Sequence, residues 1–201
     1  MGCSNDTRSR ALRLHDECAE LTGHIARTLD QIQIHALYQS AETLMALVDT
    51  LPYVPKDDPH HAVLLALLHR TCAAVAKAQD PQSSLWYQIL GKPGEKGNYI
   101  ESSSVLMFTY AFAKGARLGY LPASYEAAAA RAWKAVQSRF VRTTASGQVE
   151  ITGTVTHVAL GATPKDDGSF DYYLRAPVVN DDPKGVGAFL LAGSEMELRG
   201  A

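Results

Sequence analysis

Seven side chains from residue 86 onwards are of the types that bind sugars. They comprise aromatic rings, an amide, a carboxyl and an amine, at Trp86, Tyr87, Asn98, Glu101, Tyr172, Tyr173 and Lys184. Aromatic rings stack on the face of a pyranose, while the polar groups can hydrogen-bond its hydroxyls. We therefore predict that these seven residues contact a saccharide.

Three of these residues also have a structural interpretation. Trp86 and Tyr87 serve equally well to close the core of a helical hairpin, because large aromatic side chains dominate such cores. Glu101 and Ser102 stand at the predicted start of a helix, where they can cap free backbone amides. For Glu101 we favour capping over binding sugar hydroxyls.

Other residues that could bind metals or cofactors do not have the required spacing. Adjacent acidic residues at 166–167 and 181–182 do not fit a 12-residue calcium loop, and they are typical of solvated turns. His60, His61 and His69 share a predicted helix without the i, i+4 spacing of a zinc helix. The sequence contains no phosphate-binding glycine loop and no nucleophile elbow. We predict no metal and no cofactor.

The composition is that of a globular protein with a real core. The chain has 201 residues, of which 46% are hydrophobic and 20% charged, and a formal net charge of -2. Such a mixed surface gives no single-sign field, so we expect neither nucleic acid nor membrane as a partner. Three widely spaced cysteines argue against a disulfide framework. No signal-peptide pattern is present, so we expect a cytoplasmic protein, or a periplasmic one if the true start lies upstream.

Hydrophobic periodicity predicts helices joined alternately by short and long connections. The predicted helices cover 8–34, 41–51, 59–79, 102–118, 124–141 and 184–198. Long connections at 80–101 and 142–183 are rich in Gly, Pro and Asp. Residues 148–156 alternate between polar and apolar or β-branched side chains, which predicts a small strand pair or an extended lid. This alternation of connections is typical of stacked helical hairpins.

The predicted helices differ in how much of their surface is apolar. The helix over 102–118 is apolar nearly all round, as expected of an inner helix, whereas the next helix has one apolar stripe at Tyr125, Ala129, Ala132, Val136 and Phe140. For the last helix we predict an inward stripe at Val186, Phe189, Leu190, Gly193 and Met196. Gly115 and Gly193 would allow close approach of neighbouring backbones. The pattern predicts two full hairpins and one extra inner helix of an α/α toroid.

Four segments carry a resemblance to a known family. They read Leu-Trp-Tyr-Gln at 85–88, Gly-Asn-Tyr-Ile-Glu-Ser-Ser at 97–103, Asp-Gly-Ser-Phe-Asp-Tyr-Tyr-Leu at 167–174 and Asn-Asp-Asp-Pro-Lys-Gly-Val-Gly at 180–187. In order and spacing the chain resembles the carboxyl-terminal portion of the unsaturated glucuronyl and rhamnogalacturonyl hydrolases, glycoside hydrolase families 88 and 105. The resemblance runs from Met45 to about Glu197. It implies an all-α fold, a partial (α/α)6 six-hairpin toroid with a small β insertion in a long loop.

The resemblance also implies a reaction and a partner. The family hydrates the double bond between carbons 4 and 5 of a terminal unsaturated uronic acid, so the implied partner is an acidic oligosaccharide such as a pectin fragment. This chemistry needs a carboxyl that acts as acid and base in turn. In the family that Asp lies upstream of the matched region, so the resemblance assigns no catalytic residue in this chain.

The amino-terminal part departs from the family pattern. Residues 35–42 stand where the family has an Arg and two Trp, and they contain none of these. His15-Asp16-Glu17 is similar to the surroundings of the family's Asp, but it lacks the Trp and lies too close to Met45, so we interpret it as a solvated helix start. We predict a divergent or truncated helical segment over 1–40 and a toroid part over 41–201.

Two functions follow as alternatives. The first is a glycosidase of the unsaturated-uronyl type, present whole or as an inactive fragment. The second is a non-catalytic helical-hairpin module that binds a saccharide or a protein. Half a toroid leaves inner helices without neighbours, and such exposed apolar faces predict a homo-oligomer.

Overall fold

A computed structural model describes residues 37–156 and 167–199, and these residues are mostly helical. The α-helices are α1 (Leu37–Thr50), α2 (Pro59–Lys77), α3 (Ser102–Arg117), α4 (Ala123–Phe140), α5 (Phe170–Leu174) and α6 (Pro183–Leu198). A 3-10 helix over Leu51–Tyr53 follows α1. The helix predicted over 8–34 lies outside the described residues.

Two of the long helices begin at the same local signal, an Asp followed by a Pro. Asp58 caps α2 by accepting from the His60 amide, and Asp182 caps α6 by accepting from the Lys184 amide. The proline at the first helical position loses no hydrogen bond, and its ring sets the backbone angle that a helix needs. Both starts therefore fall within one residue of the positions predicted from the sequence.

The helices are arranged in an inner row and an outer row. In the inner row α3 lies between α1 and α6 and packs against both. In the outer row α2 packs on α1, and α4 packs on α3. This arrangement confirms the prediction of two hairpins and one extra inner helix, and it is half of the inner ring of a six-hairpin toroid.

The core is centred on α3. Every residue of this helix from Ser102 to Ala113 is buried, as predicted for an inner helix. Its aromatic side chains pack edge to face, with Phe112 centred 5.8 Å from Trp86 and 4.9 Å from Tyr125. The outer helix α4 buries its predicted stripe, with Tyr125 only partly covered, and exposes Arg131, Lys134 and Ser138.

The inward stripe predicted for α6 is wrong. Leu190 is 64% exposed, and the buried positions of the helix are Gly185, Ala188, Ala192 and Glu195. Small residues line this face because α6 lies so close to α3 and β-strand residues that a side chain on Gly185 would collide with Thr154. Of the predicted stripe, Phe189 and Met196 pack at the margin of the core.

The two glycines predicted to allow close approach behave differently. A Cβ on Gly115 would lie 2.7 Å from Leu121 Cδ1, so the absence of a side chain is required there. At Gly193 the nearest atom would be Trp133 Cη2 at 3.3 Å, which is tight but less severe. Both glycines therefore lie at close contacts, and Gly115 at the closer one.

Two small antiparallel strand pairs lie in the second long loop. Strand β1 (Val141–Thr143) pairs with β2 (Val149–Ile151), and β3 (Thr154–Val155) pairs with β4 (Val178–Val179). The predicted β insertion is thus confirmed as paired strands. Among the described residues, no helix is both long enough and apolar enough to cross a membrane.

Candidate functional site

The two long connections meet at one end of the hairpins. One leads from the end of α2 to the start of α3, and the other leads from the end of α4 to the start of α6. Because α3 and α6 are neighbouring inner helices, both loops cover the same end of the inner row. All seven residues predicted to contact a saccharide belong to these loops or to the first residues of the helices they enter.

Trp86 is not a sugar contact in this structure, which corrects that prediction. The residue is fully buried, and its indole N–H donates to the Val75 carbonyl at 2.7 Å. Its ring packs edge to face on Phe108 at 5.3 Å. No face of the indole is available to a pyranose, so the alternative interpretation holds and Trp86 closes the hairpin core.

Glu101 is also a structural residue, as the capping interpretation predicted. Its fully buried carboxylate accepts from the amides of Ser103 at 3.1 Å, Ser104 at 2.8 Å and Val155 at 3.1 Å. The first two hydrogen bonds cap α3, and the third fixes strand β3 against the helix start. Burial and these bonds leave Glu101 no part in contacting a saccharide.

The polar groups of Asn98 and Lys184 form hydrogen bonds to other groups near the long loops. The Asn98 amide bonds both the N–H and the carbonyl of Ile89, at 3.1 and 3.0 Å. The Lys184 amine donates to Asp182 at 2.6 Å and to the Thr156 carbonyl at 2.7 Å. Each side chain ties parts of the long loops together, and a contact of either with a saccharide stays a prediction.

Tyr173 lines a small cavity, and Tyr172 packs beside Tyr173. This cavity of about 270 Å³ is lined by Ile89, Lys92, Gly168, Ser169, Phe170 and Tyr173. Tyr173 is almost fully buried, and burial raises the pKa of its hydroxyl. Its ring centre is 5.1 Å from that of Tyr172. The two tyrosines therefore form an aromatic wall apart from Tyr87.

A larger cleft lies between the first long loop and the carboxyl end of α4. Its volume is about 460 Å³, and its walls are formed by Asp80, Gln82, Ser83, Tyr87, Asn98, Tyr99, Ile100 and Arg139. Of the residues predicted from the sequence, Tyr87 and Asn98 lie here. Asp80 and Arg139 were missed, because Arg139 belongs to a helix end about 40 residues away along the chain and no motif joins it to the loop.

The walls of this cleft are held rigidly. Asp80 accepts from the amide and the hydroxyl of Ser83, at 2.7 and 2.6 Å. Tyr87 pairs with Ile100 in an isolated antiparallel bridge. Burial, and to a lesser extent the nearby charge of Glu101, raises the pKa of Tyr99 to about 12. Tyr99 therefore stays neutral at physiological pH and presents an uncharged aromatic wall.

Comparison with known proteins decides the family. Residues 43–199 match the model of Glycosyl Hydrolase Family 88, which is more than three quarters of the chain. This chain belongs to glycosyl hydrolase family 88. The match includes both long loops and all five long helices except the start of α1.

Known relatives agree with the family 88 assignment. A 24.9 kDa protein from the picA locus of Rhizobium radiobacter is 39% identical over 157 residues, which is 75% of this chain and 66% of that protein. A family 105 glycoside hydrolase from C. acetobutylicum has a TM-score of 0.78 and 39% identity, over 81% of this chain and 45% of that one. A family 88 hydrolase from Bacteroides vulgatus has a TM-score of 0.59 and 25% identity.

The chain therefore spans 66% of the length of its curated relatives and less than half of the solved hydrolase from C. acetobutylicum. Three inner helices are described here, and six complete a toroid. The residues that the structure describes therefore account for three of the six inner helices of the family fold.

Carboxyl groups at the long-loop end of this family 88 chain stabilise the loops. The Asp181 carboxylate accepts from the Ile151 amide at 2.8 Å, and Asp80 and Glu101 are engaged as described above. Hydrogen bonds from Ser169 lower the pKa of Asp167, and the Lys184 amine lowers that of Asp182. A general acid needs a raised pKa, which is the opposite direction.

Proposed function

We propose that this chain is the carboxyl-terminal, saccharide-binding part of a glycosidase that acts on terminal unsaturated uronic acids of pectin-derived oligosaccharides. The observation that carries the proposal is that the family 88 match runs through both long loops, which together cover one end of the inner helices. Loops at one end of a rigid helical scaffold are where binding sites are usually built.

The reaction of such an enzyme begins with protonation of carbon 4 of the unsaturated ring. The oxygen of a water molecule then bonds to carbon 5, and a base takes up the water proton. The resulting hemiketal opens, and the glycosidic bond breaks as the ring collapses. One carboxyl with a raised pKa can act first as acid and then as base.

In this proposal the acid/base carboxyl lies outside the described residues. The carboxylates of Asp80, Glu101, Asp181 and Asp182 each accept hydrogen bonds that hold a loop or cap a helix. Moving any of them to a reacting sugar would break the local structure it supports. In this proposal the described part supplies recognition, and the proton transfer belongs to a carboxyl outside the described residues.

Polar atoms left without partners near the start of α3 support a recognition role. Among the described residues, Gln88 Oε1, Tyr99 Oη and Ser104 Oγ are buried and make no hydrogen bond. Buried polar atoms without partners are rare in proteins, because each one costs free energy. Of these three residues Tyr99 lines the larger cleft, so its hydroxyl is the atom of this group that could meet a polar ligand.

The test is an absorbance assay with lyase-generated unsaturated digalacturonide, whose conjugated double bond absorbs in the ultraviolet. We expect the purified 201-residue chain to leave the absorbance unchanged relative to buffer and to a boiled sample. Steady loss of absorbance above both controls would show that the chain holds its own acid/base carboxyl, and this part of the proposal would then be wrong.

The second candidate, a non-catalytic module, is favoured by the structural use of the same carboxyls. The two candidates differ in what they expect of a completed toroid: the glycosidase proposal expects it to act on the unsaturated sugar, and the module interpretation expects no reaction. If a longer chain that completes the toroid also leaves the unsaturated digalacturonide intact, the module interpretation is correct and the glycosidase proposal fails.

A further inference from the structure

The cleft of about 460 Å³ lies towards the outer row of helices. One wall is the first long loop, and the other includes Arg139 in the last turn of the outer helix α4. The long-loop end of the inner row is formed by the starts of α3 and α6, around Glu101 and Asp182. We call it the rim cleft, because one of its walls belongs to the outer row, and its residues 98–100 lead directly into the start of α3.

Arg139 gives the rim cleft a cationic group. The Arg139 guanidinium is exposed and lies 5.6 Å from the centre of the Phe140 ring, which helps to orient it. Within the described part of the chain Arg139 forms no ion pair. A guanidinium presents paired N–H donors that match the two oxygens of a carboxylate.

Asp80 and Gln82 give the rim cleft groups that suit hydroxyls. Asp80 uses Oδ2 for both hydrogen bonds from Ser83, which leaves Oδ1 to accept from a ligand. Gln82 adds an amide to the same lining. The negative charge of Asp80 would repel a carboxylate placed beside it, so a uronic acid is oriented with its carboxylate towards Arg139.

The remaining lining is aromatic. Tyr87 and Tyr99 are both partly buried and line the same cleft. Aromatic rings contact the apolar face of a pyranose well. The cleft volume falls within the roughly 300–1,000 Å³ of sites for small ligands, so a monosaccharide unit fits.

We propose that the rim cleft binds a uronic acid residue of an acidic oligosaccharide, with its carboxylate on Arg139, its ring on Tyr87 and its hydroxyls on Asp80. This proposal rests on the proposed function for the kind of oligosaccharide, and it names the residues that would contact one of its sugar units. The walls are fixed by the Ser83 hydrogen bonds and the Tyr87–Ile100 bridge, so little ordering is needed on binding.

The experiment is a calorimetric titration of the 201-residue chain with saturated digalacturonate, which lacks the double bond and so cannot report hydration. We expect binding that is weakened about tenfold or more by Arg139→Gln, because the charged fork is lost. Arg139→Lys keeps the charge but loses the paired N–H donors, so its affinity should lie between that of the parent chain and that of Arg139→Gln. The matched control is Arg131→Gln, which changes an exposed arginine on the same helix away from the cleft.

The outcomes separate the possibilities. Equal weakening by Arg131→Gln would mean a general charge effect, and equal affinity for the neutral digalactose would mean no carboxylate recognition; either result overturns the proposal. Unchanged affinity in Arg139→Gln, or no binding at millimolar digalacturonate, overturns it as well. Because the saturated sugar is not a substrate, none of these results depends on the outcome of the absorbance assay. Circular dichroism confirms that the exposed substitutions leave the fold intact.

Discussion

At the scale of single residues, the carboxyl of Glu101 stabilises the fold, although the loop in which it lies resembles a binding loop. It is buried among three backbone amides and the Ser103 hydroxyl. Removing the carboxylate leaves these donors without an acceptor in a region that water does not reach. We therefore expect removal of this carboxylate to lower the free energy of unfolding.

We predict that Glu101→Ala lowers the free energy of unfolding by about 2–4 kcal/mol, because a helix cap and an additional buried amide lose their acceptor together. Urea denaturation followed by circular dichroism measures the change. The control is Glu197→Ala, at an exposed position of α6, which should change stability by no more than roughly 0.5 kcal/mol. A Glu101→Ala chain as stable as this control would contradict the structural role.

The sequence identified the types of residue at the site but not their partners. Trp86 and Glu101 have side chains that suit sugar binding, yet their partners, Val75 and Val155, contribute backbone groups that no motif marks. No sequence motif marks Arg139 as a residue of the cleft, because its position there depends on how α4 packs. Residue type can therefore suggest a saccharide site, whereas the use of each group follows from tertiary contacts.

At the scale of elements, the packing of α6 on α3 depends on small residues. Gly185 faces Thr154, whose hydroxyl is hydrogen-bonded to that of Ser102 at 2.8 Å. Gly187 is on the same helix, and a Cβ there would meet no atom within 4 Å. The two glycines therefore form a matched pair for testing this contact.

We predict opposite effects for alanine at these two positions. Gly185→Ala should destabilise the protein by about 1–3 kcal/mol, because the new methyl group collides with Thr154. Gly187→Ala should stabilise it by about 0.5–1 kcal/mol, because alanine favours the helix and meets open space. Thermal and urea unfolding of both variants measure the difference. Effects of equal sign would show that α6 does not pack on β3 as described.

The five long helices were predictable to within a few residues, and the reason is local, whereas the short helix α5 was not predicted because it lies in the connection over 142–183. The hydrophobic periodicity predicted how far the helices extend, and the Asp-Pro pairs at 58–59 and 182–183 marked two of the helix starts. The face of α6 was not predictable from hydrophobicity, because the distance between helices decides which side chains fit. With Gly185 and Ala188 at the contact, larger residues such as Leu190 point away from it.

At the scale of the whole molecule, the exposed face of α6 is unusually apolar. Leu190, Leu191 and Leu198 are 64%, 41% and 53% exposed. In a closed toroid an inner helix has a neighbour on each side, whereas α6 packs against α3 alone among the inner helices described. An apolar face of this kind favours association.

We predict that the 201-residue chain self-associates through this face of α6. Sedimentation equilibrium should show species larger than the monomer, and Leu190→Glu should shift the chain towards the monomer because a charge is placed in the contact. Val63→Glu, at an exposed apolar position of the outer helix α2, is the control and should change nothing. A monomeric parent chain at the same concentration would contradict the prediction.

The central claim is that the described part of this family 88 chain recognises an unsaturated uronide without transforming it. The direct test is a calorimetric titration of the Arg139→Gln chain with unsaturated digalacturonide, because that variant weakens the contribution of the rim cleft to the measured binding. The account predicts saturable binding, with the disaccharide recovered intact at the end. Absence of binding by the folded chain, or consumption of the disaccharide, would contradict it.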